Sequence, residues 1–361
     1  MIYGALTGML SSLDDYSQFM NPDEYKELAS EAKGEFDGIG IEITLKDGII
    51  TVITPMAGTP AEAAGVKPGD KIVKINGKTT KSMTLNDSTK ILRGEPGTQI
   101  TLTIWREKDD KVFDIPIKRA NIKINSIKDA YLVDGKIGYI RLVEFQEHCA
   151  RELEAALKKL ESAGMDSLIL DLRNNPGGLL ESAIGVSEKF IPKDKIIVST
   201  KSRSPSQNAV YRSAGILTHR EYPLVVLVNE GSASASEIVA AAIQDNKRGV
   251  ILGAKTFGKG FVQTVIPLKD DSALRLTTAS YLTPGGVSIN KRGVIPDVVI
   301  EQEDLKEKEE HLSDIFEKLE NNKEVKGKGA LTGSKQAIAQ DNQLQRAIDL
   351  MKAIRVYGSR K

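Results

Sequence analysis

The chain has a single cysteine and three histidines in 361 residues. Cys149 on its own excludes an internal disulfide framework and a cysteine-rich metal site, and it fits a reducing or an oxidising compartment equally. His148 and His219 fall in polar segments and His311 in a charged helix-like one, so each reads as a solvated residue rather than a catalyst. Charge of one sign is also lacking. With 50 Lys and Arg against 49 Asp and Glu there is no electrostatic footprint for nucleic acid or an anionic membrane. No stretch approaches the roughly 18 apolar residues of a membrane span, and no basic-then-apolar leader precedes the first helix-like segment. Membrane attachment is therefore expected only through a segment outside these residues.

The length suits two or three domains of about 100 to 200 residues each. Residues 1–35 carry charge at helical spacing, with Asn21 as a cap before Pro22, and read as short helices that must pack elsewhere. Residues 36–118 change to short strands broken by glycine, "GIGIEITLKDGIITVITP" and "TQITLTIWREKDDKVFDIPI" among them, with one helix-like piece at Thr84–Leu92. Residues 119–300 alternate strand and helix. Leu153, Ala156, Leu157 and Leu160 stand at i, i+3, i+4 and i+7 before Gly164, and "SLILDL", "PLVVLVN" and "GVILG" are continuous apolar runs. Such runs joined through helices predict a parallel sheet buried on both faces. Residues 301–361 are charge-rich, a linker-like stretch before an amphipathic helix at Leu344–Ile354.

"GAKTFGKG", Gly253–Gly260, reads almost as a phosphate-binding loop, but no Ser or Thr follows Lys259 and the next residues, "FVQTVIPL", are strand-like. The lysine needs another use. "PLVVLVN" runs into "EGSASASEIVAAAIQ", where serines stand at alternate positions before a helix. Capping explains them locally, and Ser234 with Glu237 makes a capping box. Yet small residues at a strand C-terminus also open the backbone to a substrate. A serine nucleophile needs a base, and a buried lysine of lowered pKa replaces histidine in that role. Lys259, between two glycines, fits; Lys255 reads as solvated. The residues alone do not choose among Ser232, Ser234 and Ser236. A third loop, "DLRNNPGGLL", offers the amides of Gly177 and Gly178 at a helix start as an oxyanion site, or else an ordinary turn.

The order "DLRNNPGG", "GSASASEI", "TFGKGFVQ" resembles the carboxyl-terminal processing proteases, over residues 1 to about 300. The resemblance implies an α/β fold with a crotonase-like (ClpP-like) protease core, an inserted β-rich PDZ domain and helical terminal segments. It implies Ser234 as nucleophile, Lys259 as base, Gln263 as the residue orienting that base, and the amides of Ala235, Gly177 and Gly178 as the oxyanion hole. "TPAEAAGVKPGDKIVKINGK" resembles a PDZ domain, in which "GIGI", Gly38, Ile39, Gly40 and Ile41, receives a peptide's terminal carboxylate and "IEITL" pairs with the peptide. Arg93 reads as a solvated charge or as a link between capture and cleavage. The resemblance further implies substrates with free C-terminal tails, no metal or other cofactor, a homodimer through the terminal helices and a place outside the cytoplasm, with a sporulation-stage enzyme as the nearest likeness. Two rival readings are a peptide-binding module on a crotonase-like scaffold that has lost catalysis, and a nucleotide hydrolase built on "GAKTFGKG".

Overall fold

The computed structural model describes residues 2–46, 48–215, 220–302 and 341–358. His219, His311 and residues 303–340, with the linker-like stretch, lie outside them. The chain divides into two compact units, residues 1–21 with 126–361 and residues 22–125.

In the first unit the alternating text forms a six-stranded sheet. Its order is β10 (Ile127–Val133), β11 (Ile137–Leu142), β12 (Ser167–Asp171), β15 (Leu224–Val228), β16 (Val250–Gly253) and β19 (Val298–Val299). Only β10 runs antiparallel to its neighbour; the other pairs are parallel. Period-two alternation sends Leu168 and Leu170 to one face, under helices α5 (Cys149–Ser162), α6 (Leu180–Ser187) and α7 (Ala235–Asp245). Ile169, Val225 and Leu227 go to the other face, against Leu344, Ala347, Ile348 and Met351 of a C-terminal helix, α8 (Asn342–Gly358). That double burial is why these strands read as continuous apolar runs. Helix α5 buries Leu153, Leu157 and Leu160 as their spacing predicts, and Gly164, at φ +91°, follows its end.

The expectation of a crotonase-like (ClpP-like) scaffold is corrected here. Beside the mixed sheet stands a second one, built from segments without strong periodicity. It runs β1 (Gln18–Met20), β18 (Ala273–Leu282), β13 (Ile196–Ser202), β14 (Ala209–Arg212), with β17 (Phe261–Pro267) also pairing β18. All its pairs are antiparallel. The β17–β18 hairpin carries the residues after Lys259, and the N-terminal strand β1 closes on β18, so residues far apart in sequence frame one place.

In the second unit the order is β3 (Ile41–Lys46), β4 (Ile49–Pro55), β5 (Lys71–Ile75), β7 (Gln99–Arg106) and β8 (Lys111–Lys118). Ile50, Val52, Ile72, Ile100, Leu102 and Ile104 make its core. Helix α4 (Leu85–Leu92) starts on Thr84, whose hydroxyl accepts from Asp87 N while Asp87 accepts from Thr84 N. Arg106 closes a bidentate pair on buried Asp70, Nε to Oδ1 at 2.7 Å and Nη2 to Oδ2 at 2.8 Å.

Trp105, the sole tryptophan, lies in β7 and reports on this unit alone. Leu102 is 0% exposed, so Leu102→Ala leaves a cavity and should lower the unfolding free energy followed by Trp105 fluorescence in urea by about 2–5 kcal/mol. An unchanged Trp105 transition would contradict this account of the core.

Candidate active site

Three strand ends of the first unit meet around the start of α7. The loop after β15 is fixed by Asn229, whose Oδ1 accepts from Asn174 N at 2.8 Å and Gly231 N at 3.1 Å, and whose Nδ2 donates to Asn174 Oδ1 at 2.9 Å. The three serines then separate. Ser232 and Ser236 are fully buried, and their hydroxyls donate to Leu172 O (2.8 Å) and Asn175 O (2.9 Å). They knit the loop after β15 to the loop after β12. Ser234 is half-buried, at φ +53° and ψ −110°, a region L-residues rarely occupy. Such strain, at the turn from a strand into a helix, raises a side chain out of the surrounding packing.

The loop after β12 supplies the glycine turn. Gly177 stands at φ +104°, and a β-carbon there would lie 2.7 Å from Ala233 O and 2.8 Å from Ser234 Cβ, so only glycine lets the turn reach the serine. Its own N–H donates to Asn175 Oδ1 at 2.9 Å. The amides of Gly178 and Ala235 donate to no acceptor among the described residues. Gly178 is exposed and held by Phe145, which donates to Gly177 O and accepts from Leu179 N, both at 2.8 Å. Two unspent amides, one next to Ser234 in sequence and one in the turn that packs on it, are donors of the kind an oxyanion requires.

Lys259 is joined to Ser234 through Glu237. This carboxyl group is 0% exposed, and its Oε2 accepts from both Ser234 N (2.9 Å) and Lys259 N (2.8 Å). Its Oε1 accepts from Gly258 N (2.7 Å) and the Thr256 hydroxyl (2.6 Å). The Lys259 side chain is half-buried and forms no hydrogen bond or ion pair with any described residue; its Nζ stands 5.3 Å from the centre of the Tyr16 ring. Burial holds its pKa below the ordinary 10.5, and the positive charge of Arg275 adds to the shift. Lys255, four residues earlier, is exposed. Gln263 is not bonded to Lys259: its Nε2 donates to Tyr16 O at 2.8 Å, and the Tyr16 ring packs on Phe261 with centroids 5.8 Å apart. His148 precedes α5 as its N-cap residue, and burial pushes the Cys149 thiol up to about 12. No group of acidic, histidine or cysteine residues able to hold a metal ion is found among the described residues.

The second unit holds a groove of about 140 Å³ between β3 and α4, lined by Phe36, Gly38, Ile39, Gly40, Ile41, Ile43, Thr89, Leu92 and Arg93. The "GIGI" residues thus come together in one place. Gly40 is at φ +77°, and its carbonyl accepts from Met56 N and from the Thr59 hydroxyl. Strand β3 is an edge of its sheet, free on the groove side to accept another strand. Arg93 pairs with Glu27 and lies 5.7 Å from the centre of the Phe36 ring.

Sequence reasoning missed three groups here. Glu237 was legible only as a local capping partner. Tyr16 lies more than 200 residues from Lys259, and Arg173 is bonded to Asp341, 168 residues away, so no local signal marks either.

Comparison with known proteins gives these contacts a context. Residues 136–300 match the model of peptidase family S41, and residues 51–106 match that of the PDZ domain. A carboxy-terminal-processing protease of Bartonella bacilliformis is 48% identical over 309 residues, covering 84% of this chain and 70% of that protein. The carboxy-terminal processing protease CtpA of Bacillus subtilis is 40% identical over 305 residues, covering 84% of this chain and 65% of that protein. Among solved structures, a photosystem II D1 C-terminal processing protease superposes with a TM-score of 0.51 at 34% identity, covering 83% of this chain and 81% of its own. A putative S41 protease from Bacteroides fragilis shares the fold, with a TM-score of 0.54 at 18% identity over 95% of this chain and 88% of its own. The scaffold is accordingly that of the S41 processing peptidases with a PDZ insertion, in place of the crotonase-like one expected. With nearly half its residues shared with a processing protease along most of both chains, this chain belongs to the serine-type carboxyl-terminal processing peptidases of family S41.

Proposed function

We propose that the chain is an endopeptidase that captures unstructured C-terminal tails in the groove of its PDZ domain and cleaves them at Ser234, with Lys259 as general base. One observation carries the choice of nucleophile. Of the three serines, two are buried and spend their hydroxyls on neighbouring carbonyls, while Ser234 stands half-buried on a strained turn beside two unspent amides.

On this reading neutral Lys259 takes the Ser234 proton as Oγ attacks the peptide carbonyl. The amides of Gly178 and Ala235 receive the oxyanion, with Gly177 shaping the turn, and the lysine returns its proton to the leaving amine. Transfer requires Nζ to reach about 2.6–3.2 Å from Oγ, so the lysine must turn from the Tyr16 ring toward the serine. Gln263 supports it indirectly, by holding the Tyr16 carbonyl. In the groove, the amides around Gly38–Ile41 take the tail's carboxylate and the edge of β3 adds the tail as a strand. Residues 1–35 then serve as an N-terminal helical segment, 36–118 as the PDZ domain, 119–300 as the protease core and 301–361 as the C-terminal segment. Pairing of two copies through terminal helices is supported by the exposed apolar residues Ile2 (75%) and Met9 (64%) of the N-terminal helix. Action outside the cytoplasm rests on the resemblance alone, and the relatives named above give no support to a role in sporulation. No helix among the described residues is long and apolar enough to cross a membrane.

Three measurements test this reading. Ser234→Ala should abolish cleavage of a protein with an apolar unstructured tail and leave the melting temperature unchanged. Ser232→Ala and Ser236→Ala should instead cost about 1–3 kcal/mol of stability through the lost buried hydrogen bond. If one of those two is the inactive variant, the nucleophile is misassigned; if no serine-acylating probe labels Ser234, the chain is a binding module.

The pH profile follows from the lowered lysine pKa. The base acts deprotonated, so kcat/KM should rise with pH along a limb whose apparent pKa lies below 10.5, the ordinary lysine value. Lys259→Arg should be inactive at every pH, because arginine stays protonated. A Lys259→Arg enzyme cleaving near the parental rate would sink the dyad, and cleavage that needs nucleotide would revive the phosphate-loop reading.

Amidating the C-terminus of the tail removes the charge that the "GIGI" amides are proposed to receive. KM should rise about tenfold, as expected for loss of one charge-assisted bond worth about 1.5 kcal/mol. Equal capture of the amidated tail would remove the carboxylate from the account.

A further inference from the structure

We propose that the C-terminal helix α8 is part of the peptidase site, with Asp341 at its start acting as a positioning residue that holds the Asn174–Gly178 turn through Arg173. The inference rests on the reading of that turn as an oxyanion site.

Arg173 follows the end of β12 and is almost fully buried. It makes one set of bonds to Asp171: its own N–H and Nε to Oδ1 at 2.9 and 3.0 Å, and Nη2 to Oδ2 at 2.6 Å. It makes a second, bidentate set to Asp341, Nη1 to Oδ1 at 2.8 Å and Nη2 to Oδ2 at 2.7 Å. Each carboxylate is held in turn. Tyr139 donates its hydroxyl to Asp171 Oδ2 at 2.8 Å, and Leu344 N donates to Asp341 Oδ1 at 3.0 Å. Gln343, 0% exposed, accepts from Arg173 Nη1 at 3.1 Å and donates to Ile300 O at 2.7 Å. The guanidinium is therefore fixed in a plane by groups from two segments far apart in sequence, the end of β12 and the start of α8.

Stability alone does not call for this arrangement. Helix α8 is already docked by Leu344, Ala347, Ile348 and Met351, and an apolar contact would serve at its first turn. A buried ion pair adds little net stability, because desolvation offsets most of the attraction; what it adds is direction. Direction is what the turn needs. Asn174 stands at φ +56°, uncommon for a residue with a side chain, and Gly177 and Gly178, at +104° and +142°, have no side chain to limit their backbone, so the turn must be fixed by its neighbours. Asn229 and Ser232 hold the residues on either side of Arg173 from the nucleophile side, through Asn174 N and Leu172 O. The Asp341 clamp holds Arg173 itself. Burial would raise the Asp341 pKa, but the bonds and charge of Arg173 lower it below the ordinary carboxylate value, so the clamp stays charged through the neutral and alkaline range.

The test uses the full chain as Asp341→Ala, as the near-isosteric Asp341→Asn and as Met351→Ala, which loosens the same helix without touching Arg173. Exchange of the bonded amides of Asn174, Asn175 and Gly177 reads the turn directly, whether or not the chain is a peptidase. Cleavage of a tailed peptide, well below each melting transition, reads catalysis per folded molecule. Asp341→Ala should speed exchange in the turn and lower kcat on the order of tenfold to a hundredfold, with KM kept within about twofold, since the oxyanion forms only in the transition state. Asp341→Asn should recover part of kcat, and Met351→Ala should lose stability with kcat near parental. Parental exchange in the Asp341→Ala turn overturns the proposal. So does a kcat loss in Met351→Ala equal to that in Asp341→Ala, which would make the aspartate merely structural. Faster exchange in a chain that cleaves nothing would leave the clamp standing and remove the peptidase reading instead.

Discussion

The carboxyl group of Glu237 is the constraint on which the site depends. It is fully buried and accepts four hydrogen bonds, from Ser234 N, Lys259 N, Gly258 N and the Thr256 hydroxyl. No cation pairs with it among the described residues. A charge taken out of water is costly unless bonded, and hydrogen bonds to a charged acceptor contribute about 1.5–3 kcal/mol each. Glu237 is also in the first turn of α7, where the helix dipole favours negative charge. Because the donors come from the α7 turn and from the segment after β16, the group can be satisfied only when both are in place. Thr256 extends the constraint, its hydroxyl accepting from Val294 N at 2.7 Å. Ser234 and Lys259, the proposed nucleophile and base, are thus placed by the backbone amides beside them.

Close backbone approach is the second requirement, and small residues meet it. The turn at Gly177 touches Ser234, Gly178 packs under the Phe145 carbonyl, and Gly253 passes so near Val228 O that a β-carbon would sit 2.0 Å from it. Helix α7 follows with Ala235, Ala240, Ala241 and Ala242 buried, so it lies close on the sheet and brings its first turn to the strand ends. These residues carry no chemistry. They shorten the distance between loops that do.

What could be read in advance follows from the range of each interaction. Local and periodic signals were legible. The runs "SLILDL" and "PLVVLVN" became β12 and β15, the helix around Thr84–Leu92 begins on the Thr84 box, and the strand after "GAKTFGKG" excludes a phosphate loop followed by a helix. Burial on both faces of the central sheet followed from the same runs. The second sheet was not legible, because β13, β14, β17 and β18 mix exposed, half-buried and buried positions without a regular period and take their order from pairing across the chain. That is also where the scaffold departs from the one expected. In the site, composition named the three loops but not the serine, since Ser232, Ser234 and Ser236 are equivalent until the carbonyls of Leu172 and Asn175 claim two of them. Glu237 looked local because its capping bond is three residues long, and that short contact hid three long ones. Gln263 illustrates the converse: the motif named the residue, while its bond to Tyr16 depends on an N-terminal turn that the motif does not contain.

The same geometry bears on how Lys259 would serve as the proposed base without an acidic partner. A carboxylate bonded to Nζ would favour the ammonium form and raise the pKa, the opposite of what proton abstraction needs. The buried acid of the site is Glu237, and both its oxygens are occupied by amides and a hydroxyl, including the amide of Lys259 itself. Its charge fixes the lysine's backbone without bonding the amine. Nζ is left beside the Tyr16 ring, whose face would hold an ammonium by about 0.5–2 kcal/mol, and near Arg275, which repels one. Burial and Arg275 prevail, and the pKa falls. Lys255, exposed a few residues earlier, is left in water. On the proposed dyad histidine is unnecessary, and the buried acid of this site, Glu237, is turned to the backbone.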